Sequence, residues 1–407
     1  MLWSAVVLCG LVCGEIEIDA KYPGGNIVVD SIDKEVVRLQ TDLRDTAGWW
    51  FYWNFRIRGA QGKLLRFEFD RQPIGLLGPA VSTDAGVTWR WLGPQSSDTR
   101  SFTYHFSPQE HEVRFAYTIP YLQANWERFL ASHRGRSMQP AVLCKSRHGR
   151  DVECLYFGWT GRPAGVVVEK PAARVVVTCR HHACEASANY VLEGLIAAVL
   201  EPETEETRWL AAHVAFLAVP FVDKDGVEEG DQGKNRRPRD HNRDYVGESI
   251  YPETKAIRQQ VPQWLAGGPG VAIDLHSPCI RGDYDTWIYQ VGSSVERIAP
   301  EQQRFAEILA TAARGTLPYR KTSFLPFGKA WNKAANYQVG IAFDRWAAEH
   351  EEMRLATSFE IPYAQASRVE VNPTSARAFG RDIATALAVY IRTFATATVG
   401  SRPKGTR

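Results

Sequence analysis

The chain has 407 residues, of which 44% are hydrophobic and 23% are charged, proportions typical of a globular protein. Its formal net charge is only +2, so charge gives no argument for binding nucleic acid or an acidic membrane. No internal run of about 18 apolar residues occurs, so the hydropathy of the sequence predicts that the mature chain has no integral membrane segment. The length favours two domains over one.

Within the N-terminal stretch Met1–Gly14, residues 2–14 are largely apolar and carry no charged side chain. It has the length of the hydrophobic region of a signal peptide, although the usual positive residues before that region are missing. The stretch therefore predicts export to the periplasm or beyond. A short buried first strand is the alternative, and the protein would then be cytoplasmic.

Residues 15–121 consist of short segments of alternating hydrophobicity separated by turn residues, without a long helical period. Trp49–Ile57 is especially rich in aromatic residues. This pattern predicts an N-terminal all-β sandwich domain whose aromatic residues fill the core. A ligand-binding face on that domain is the less favoured alternative.

From Leu122 to about Ala397, strands alternate with helices, which predicts an α/β layer fold. The predicted elements of this second domain are helix 122–133, a hairpin of strands 142–144 and 153–157, strand 175–178, helix 190–199, strand 213–219, a charged loop 223–244, helix 255–265, strand 271–275, helix 295–314, strand 355–359 and a last helix ending near 395. A basic tail, residues 398–407, is predicted to be disordered.

Five cysteines lie outside Met1–Gly14, an odd number that does not form a complete disulfide framework. Cys144 and Cys154 flank a predicted hairpin turn and could face each other across two strands. A disulfide and a pair of free thiols are both compatible with this placement.

Residues with metal-binding or acid–base chemistry follow several of the predicted strands. His182 and Glu185 come after strand 175–178, His276 ends strand 271–275, and Glu360 ends strand 355–359. The carboxyl ends of parallel strands gather at one edge of an open sheet, so we expect these side chains to meet. A neutral imidazole and a carboxylate are suitable ligands for zinc.

Five segments of the chain resemble, in the same order, the motifs of the zinc metallocarboxypeptidase family. They are His182-x-x-Glu185, Val219-Pro220 through Asp225-Gly226, Asp240-His241-Asn242-Arg243, Asp274-Leu275-His276, and Glu360. The chain is most similar to the cytosolic carboxypeptidase branch, which carries an N-terminal β-sandwich. The resemblance implies a mixed-sheet α/β/α catalytic domain that releases a C-terminal or side-chain-linked amino acid from peptides or proteins. Ala183-Cys184 replaces the family's usual Pro-Gly, which leaves both ligands in place.

The resemblance also implies the catalytic roles. His182, Glu185 and His276 would bind one Zn²⁺ and leave a fourth position for water. Glu360 would act as the general base. His181 is the rival to His182, and only the family spacing separates the two.

Further residues match the family's substrate-binding positions. Asn242 and Arg243 would hold the C-terminal carboxylate of the substrate, and Asp240 would accept a hydrogen bond from His182. The oxyanion would be stabilised by Arg236, with Arg237 as the alternative. Tyr337 has the spacing of the family's substrate-binding tyrosine.

Arg345 lies fifteen residues before Glu360, close to the spacing of the residue at the floor of the family's specificity pocket. A guanidinium there would favour a C-terminal Glu or Asp. Two alternatives remain open: Arg345 is neutralised on the surface by Asp344 or Glu349, or Asp344 faces inward and reverses the preference.

Two other functions use a similar scaffold. One is a zinc amidase or deacylase, and the other is a binding protein with an inactive peptidase domain. The Asn242-Arg243 pair favours a carboxypeptidase over an amidase. The retention of all three expected ligands and of Glu360 argues against an inactive copy.

Overall fold

The computed structural model describes residues 15–159 and 170–395. The predicted signal peptide and the predicted basic tail lie outside these residues. Within the described ranges, none of the helices combines the length and apolarity that crossing a membrane requires.

Between residues 15 and 121, the structure has nine strands that form two small sheets. The strands are β1 (Glu17–Asp19), β2 (Val28–Asp33), β3 (Val36–Gln40), β4 (Asn54–Arg58), β5 (Leu64–Phe69), β6 (Ala80–Ser82), β7 (Arg90–Trp91), β8 (Ser101–His105) and β9 (Glu112–Ala116). One sheet has the order β1-β4-β9-β6-β7 and the other the order β2-β3-β5-β8. Side chains from both sheets share one buried cluster, which confirms the predicted β-sandwich.

Aromatic side chains dominate the core of this sandwich. Phe67 lies on β5 of one sheet and stacks on Phe102 of the neighbouring β8, with ring centroids 4.6 Å apart. Phe102 meets Phe115 of the opposite sheet at 5.0 Å. Phe55 on β4 and Trp53, directly before that strand, are both fully buried in the same cluster. These residues therefore pack the core, as predicted.

The second part alternates strands and helices. Its elements are α1 (Gln123–Ser132), β10 (Met138–Lys145), β11 (Asp151–Gly158), β12 (Ala173–Cys179), α2 (Ser187–Leu200), α3 (Glu205–His213), β13 (Val214–Val219), α4 (Lys224–Glu229), α5 (Pro252–Leu265), β14 (Gly270–His276), β15 (Tyr289–Val291), α6 (Ala299–Ala312), β16 (Phe324–Leu325), α7 (Phe343–Ala348), β17 (Met353–Glu360), β18 (Gln365–Ala366), β19 (Val369–Glu370) and α8 (Pro373–Ala395).

An eight-stranded mixed sheet organises this part, with the order β10-β11-β13-β12-β14-β17-β15-β16. The four central strands β13, β12, β14 and β17 are parallel, and antiparallel strands flank them. Val175 and Val177 of β12 pack with α2 and α8 on one face, whereas Val176 packs with α5 and α7 on the other. The strands are buried on both faces, which explains their continuous apolar sequences and confirms the α/β/α class.

Three helices, α3, α4 and α7, were not predicted from the sequence. α3 occupies the residues before β13, so that strand begins at Val214 rather than at His213. α4 lies inside the predicted charged loop. The Asp223 side chain caps it by accepting a hydrogen bond from the Gly226 amide at 3.0 Å, and Gly230 ends it in the left-handed conformation. A six-residue helix in a charged stretch has too few apolar positions to show a period.

Helices α2 and α8 approach each other closely at two glycines. A Cβ atom on Gly194 would lie 2.0 Å from the carbonyl oxygen of Arg377, and one on Gly380 would lie 2.0 Å from that of Val191. This close contact fixes the position of α2 relative to α8 on one face of the sheet. α2 directly follows the loop that carries His182 and Glu185, so this packing also supports the candidate site.

The hairpin cysteines are both free thiols. In the register of β10 and β11, Cys154 lies opposite Ala141 and Cys144 lies opposite Val152. The two cysteines are therefore offset along the hairpin and do not face each other directly.

Candidate metal centre and active site

The candidate site lies at the carboxyl ends of the central parallel strands. In the register of β14 and β17, His276 pairs directly with Glu360. The neighbouring strand β12 ends at Cys179, opposite Leu275, and leads into the loop with His182 and Glu185. The parallel arrangement thus brings together four residues that are up to 178 positions apart in sequence.

Arg180 shapes the loop after β12. This residue has a positive φ of 62° and its side chain is almost fully buried. Its guanidinium donates to the carbonyl oxygens of Ala183 and Tyr121, both at 2.9 Å, and to Asn189 Oδ1 at 2.8 Å. These bonds hold the loop in the turn that directs His182 and Glu185 to one side. No local sequence pattern marks Arg180 as a residue that supports the site.

The β-sandwich also supports this loop. Cys184 is buried between the two expected ligands and packs with the aromatic core of the sandwich. Its thiol accepts a hydrogen bond from Gln232 Nε2 at 3.0 Å, and its carbonyl oxygen accepts one from the Tyr117 hydroxyl. Gln232 also accepts hydrogen bonds from two backbone amides of the sandwich, at Phe51 and Tyr52. Cys184 is therefore a packing residue, and the sandwich positions the site.

Three buried side chains present a zinc-type donor set. His182 Nδ1 lies 3.0 Å from Glu185 Oε1, and His276 Nδ1 lies 2.7 Å from Glu185 Oε2. One ligand atom from each residue lies within 4.8 Å of the other two. Two imidazole nitrogens and a carboxylate, converging beside a cavity, fit a zinc ion with an open fourth position.

The opposite nitrogen of each histidine faces a carboxylate. His276 Nε2 lies 2.6 Å from Asp274 Oδ2, and His182 Nε2 lies 3.8 Å from Asp240 Oδ1. The second distance is that of an ion pair rather than of the predicted hydrogen bond. Carboxylates in these positions orient metal-binding imidazoles, which agrees with the fit to zinc.

A second group of possible ligands consists of His181, Asp274 and His276. Both ring nitrogens of His181 already have partners, Asp274 Oδ1 at 2.9 Å and the Tyr245 hydroxyl at 2.7 Å. His181 is fully buried and does not line the cavity, and this burial lowers its pKa. His181 thus supports Asp274, and the geometry favours His182 as the ligand.

A third group, His148, Asp225 and Glu229, is solvent-accessible and distant from this cavity. Arg150 Nη1 lies 2.6 Å from Asp225 and 2.7 Å from Glu229. A guanidinium already occupies the position between these carboxylates, so the group is an ion-pair network.

A cavity of about 450 Å³ opens onto the donor set and includes Glu360 in its lining. Glu360 is only 9% exposed, and its Oε2 has no hydrogen-bond partner among the described residues. Burial raises the pKa of Glu360 to about 7, despite the opposing effect of the His276 positive charge. A carboxyl group with a pKa near neutrality is well suited to accept and return a proton.

Lys234 contributes a cation to the same cavity. Its Nζ lies 2.7 Å from Glu185 Oε1 and 5.7 Å from the centre of the Trp50 ring, which comes from the β-sandwich segment. Burial lowers the pKa of Lys234, but the Glu185 carboxylate outweighs this effect and raises it overall. Lys234 therefore remains charged. The sequence alone does not distinguish Lys234, because the same loop contains several other basic residues.

Arg236 does not lie where the sequence analysis expected it. Its guanidinium pairs with Asp223, with Asp231 at 2.7 Å and with Asp45 at 2.7 Å. These carboxylates hold it in a buried network outside the cavity around Glu360. The alternative residue, Arg237, is exposed and also lies outside that cavity. Lys234, rather than the predicted arginine, thus lies beside the expected metal ligands.

Asn242 and Arg243 line the cavity. Asn242 Nδ2 lies 3.2 Å from His276 Nε2, and its Oδ1 accepts a hydrogen bond from the Phe343 amide at 3.1 Å. Arg243 donates to the carbonyl oxygen of Asn242 at 2.8 Å, and its guanidinium lies 5.0 Å from the Tyr337 ring centre. The two residues form a fixed pair of donors next to the metal ligands.

Tyr337 lines the cavity, whereas Arg345 does not. The Arg345 guanidinium lies 4.3 Å from the Tyr337 ring centre and donates to Ser294 Oγ at 2.8 Å. Asp344, its neighbour in α7, faces the cavity instead. The structure therefore agrees with the alternative in which Asp344 faces inward. It contradicts the prediction that Arg345 lies in the pocket.

Comparison with known proteins supports the same interpretation. Residues 124–249 match the family model described as zinc carboxypeptidase. An uncharacterized protein of Zymomonas mobilis is 23% identical over 64% of this chain and 67% of its own length. Cytosolic carboxypeptidase 3 of Mus musculus is 25% identical over 56% of this chain, and this chain spans only 25% of that protein.

Solved structures share the fold. A metallo-carboxypeptidase from Burkholderia cenocepacia is 21% identical, with a TM-score of 0.76 over 93% of this chain and 100% of its own. A metallo-carboxypeptidase from Pseudomonas aeruginosa, solved with (2-guanidinoethylmercapto)succinic acid, is 24% identical, with a TM-score of 0.69 over 92% of this chain and 99% of its own. Residues 124–249 are thus similar to zinc carboxypeptidases, cytosolic carboxypeptidases are among the similar proteins, and the chain shares its fold with the two bacterial metallo-carboxypeptidases.

Proposed function

We propose that this protein is a zinc-dependent carboxypeptidase that hydrolyses the bond to a C-terminal amino acid of a peptide or protein, or to a side-chain-linked one. One observation carries the proposal. A single cavity is lined by His182, His276, Glu360 and the Asn242–Arg243 pair, and the fully buried Glu185 completes the donor set with its ligand atom within 4.8 Å of those of the two histidines.

His182, Glu185 and His276 would hold the zinc ion. When bound, zinc supplies a Lewis acid for the scissile carbonyl and lowers the pKa of a water molecule. Glu360, with its pKa near 7, takes the proton from the attacking water and delivers it to the departing amine.

Lys234 provides positive charge where the carbonyl oxygen becomes negative. A buried cation of fixed position stabilises a developing oxyanion more than a mobile surface cation does, because it needs no reorganisation during the reaction. Lys234 is partly buried, and Glu185 and the Trp50 ring hold its ammonium group in the cavity.

Arg243 and Asn242 bind the free carboxylate at the end of the substrate. A guanidinium offers two parallel donors to a carboxylate, and Asn242 is already fixed through the Phe343 amide. Tyr337 lies over the Arg243 guanidinium and limits its movement. This arrangement selects a free C-terminus and so favours a carboxypeptidase over an amidase.

The proposal is tested with zinc-loaded protein and blocked dipeptides that have either a free or an amidated C-terminus. We expect release of the last residue only from the free acids. Glu360→Gln should keep its zinc and lose about 10²–10⁴-fold in turnover. Glu349→Gln, the same change at an exposed position of the chain, is the matched control.

Equal hydrolysis of the amidated peptides would instead indicate an amidase. Binding of peptides without any hydrolysis by the zinc-loaded protein would indicate an inactive binding protein.

A further inference from the structure

Building on the carboxypeptidase function above, we propose that Asp344 makes this enzyme select substrates that end in arginine or lysine. The sequence alone left the choice between Asp344 and Arg345 open. The orientation of α7 decides which of the two faces the cavity.

Asp344 is a buried carboxylate that lacks a cationic partner. It is 6% exposed and lines the same cavity as Glu360. Across residues 15–159 and 170–395, no lysine, arginine or histidine nitrogen forms an ion pair with it within 4.0 Å. The nearest basic residue in sequence, Arg345, is instead directed at Tyr337, Phe327 and Ser294.

The strands beneath α7 show how a substrate side chain would reach Asp344. Ser358 and Glu360 are two residues apart on β17, so they face the same side of the sheet, and both line the cavity. On β15, Val291 pairs with Ser358 and Tyr289 pairs with Glu360. The cavity therefore extends inward from Glu360, at the strand end, towards Ser358 and Asp344.

The carboxylate-binding pair fixes the entrance to this part of the cavity. The Asn242 side chain binds the backbone amide of Phe343, the residue directly before Asp344. A substrate whose terminal carboxylate is held by Asn242 and Arg243 thus has its last side chain next to α7. The cavity volume of about 450 Å³ falls within the range of roughly 300–1,000 Å³ that accommodates small ligands.

Electrostatics favour a positive side chain at the end of this path. Burial raises the pKa of Asp344, and the nearby Asp274 carboxylate adds to that effect, whereas the His276 positive charge opposes it. The other cations of the cavity have partners of their own, because Lys234 pairs with Glu185 and Arg243 lies against Tyr337. The Ser358 side chain and the Arg345 amide form hydrogen bonds with Asp344, and a guanidinium or ammonium group from the substrate would add the cationic partner that the described residues do not supply.

The test compares peptides that differ only in the charge of the last side chain. Benzoylglycyl-arginine and benzoylglycyl-citrulline have nearly the same shape, but only arginine is charged. Benzoylglycyl-lysine, -glutamate and -phenylalanine complete the panel. We expect the zinc-loaded wild-type protein to prefer arginine over citrulline by about 10- to 150-fold in kcat/KM, the range of a hydrogen bond to a charged group.

Asp344→Asn keeps the shape of the side chain and should lower the ratio of kcat/KM for arginine over citrulline towards one. Glu349→Gln, on the exposed side next to α7, makes the same charge change and should keep the preference. Calorimetry of free L-arginine and L-citrulline with both proteins provides a reading that does not require turnover. Tighter binding of arginine should be lost only in Asp344→Asn.

Each outcome bears on one proposal or the other. If citrulline or glutamate is released as fast as arginine, and arginine binds no better than citrulline, Asp344 does not set specificity, while the carboxypeptidase function stands. If Arg345→Gln rather than Asp344→Asn alters the order, the assignment of the pocket residue is also wrong. If no peptide is hydrolysed, the proposed function fails, and the calorimetry alone decides whether Asp344 selects a cation.

Discussion

Arg236 and Lys234 lie in different environments, so substitution of the first should affect stability and substitution of the second should affect catalysis. The structure assigns Arg236 to a buried ion-pair network and Lys234 to the cavity. Arg236→Met should therefore reduce stability, whereas Lys234→Met should reduce turnover. Methionine suits both positions because it is unbranched and removes the charge.

The magnitude for Arg236→Met follows from its partners. Asp45 is more than half exposed and Asp231 keeps a second partner, Arg44 at 2.7 Å, so neither is left without compensation. Asp223 is the carboxylate that loses most, since its side chain is 2% exposed and it keeps only the Gly226 amide at 3.0 Å and His241 Nδ1 at 3.8 Å. Breaking one buried ion pair in this way lowers the free energy of unfolding by about 3–5 kcal/mol.

Lys234→Met should have the opposite profile. Glu185 retains His182 and His276 at 3.0 and 2.7 Å, so the fold loses little. Removal of one oxyanion-stabilising donor typically costs about 10²–10³-fold in kcat. Zinc content and KM should stay close to the wild-type values, and Lys234→Arg should restore part of the rate.

Denaturant titration followed by circular dichroism measures the first effect, and steady-state kinetics on the folded, zinc-loaded variants measures the second. The reasoning is refuted if Arg236→Met unfolds like the wild type and loses more kcat than Lys234→Met. Arg236 would then act in catalysis, as the sequence alone indicated.

Two further predictions concern the support of the site. Gly194→Ala should lower the free energy of unfolding by about 1–3 kcal/mol, because its Cβ would lie 2.0 Å from the Arg377 carbonyl oxygen. In an isolated helix the same change would be stabilising by about 1 kcal/mol. A higher midpoint of unfolding would therefore contradict the close α2–α8 contact. Removal of zinc with a chelator should lower the midpoint of thermal unfolding, since a ligand present at about 100 times its Kd stabilises a protein by about 2.7 kcal/mol. A midpoint that does not change when zinc is added back would show that the metal does not bind the folded state.

The parts of the site that lie at strand ends could be predicted from the sequence. His276 and Glu360 each end a long apolar run, and parallel pairing of β14 and β17 brings them into the same register. Glu185 follows His182 by one turn after such a run. Local patterns suffice here because the strands themselves determine where these side chains lie.

The loop residues could not be predicted in the same way. Arg236 is directed away from the cavity by Asp45, Asp223 and Asp231, which come from other parts of the chain. Spacing identified a basic residue near this point but not which of several would face the metal ligands. The same limit applied to Asp344 and Arg345, because a change of one residue on α7 exchanges the side that faces the cavity for the side that faces Tyr337.

The location of the metal is the most direct test of the account. Crystals of the zinc-loaded protein, measured on both sides of the zinc absorption edge, show by anomalous difference density where the ion binds. The account predicts one strong peak between His182 Nδ1, Glu185 and His276 Nδ1, beside Glu360. A peak between His181 and Asp274, or one at His148 and Asp225 only, would contradict it.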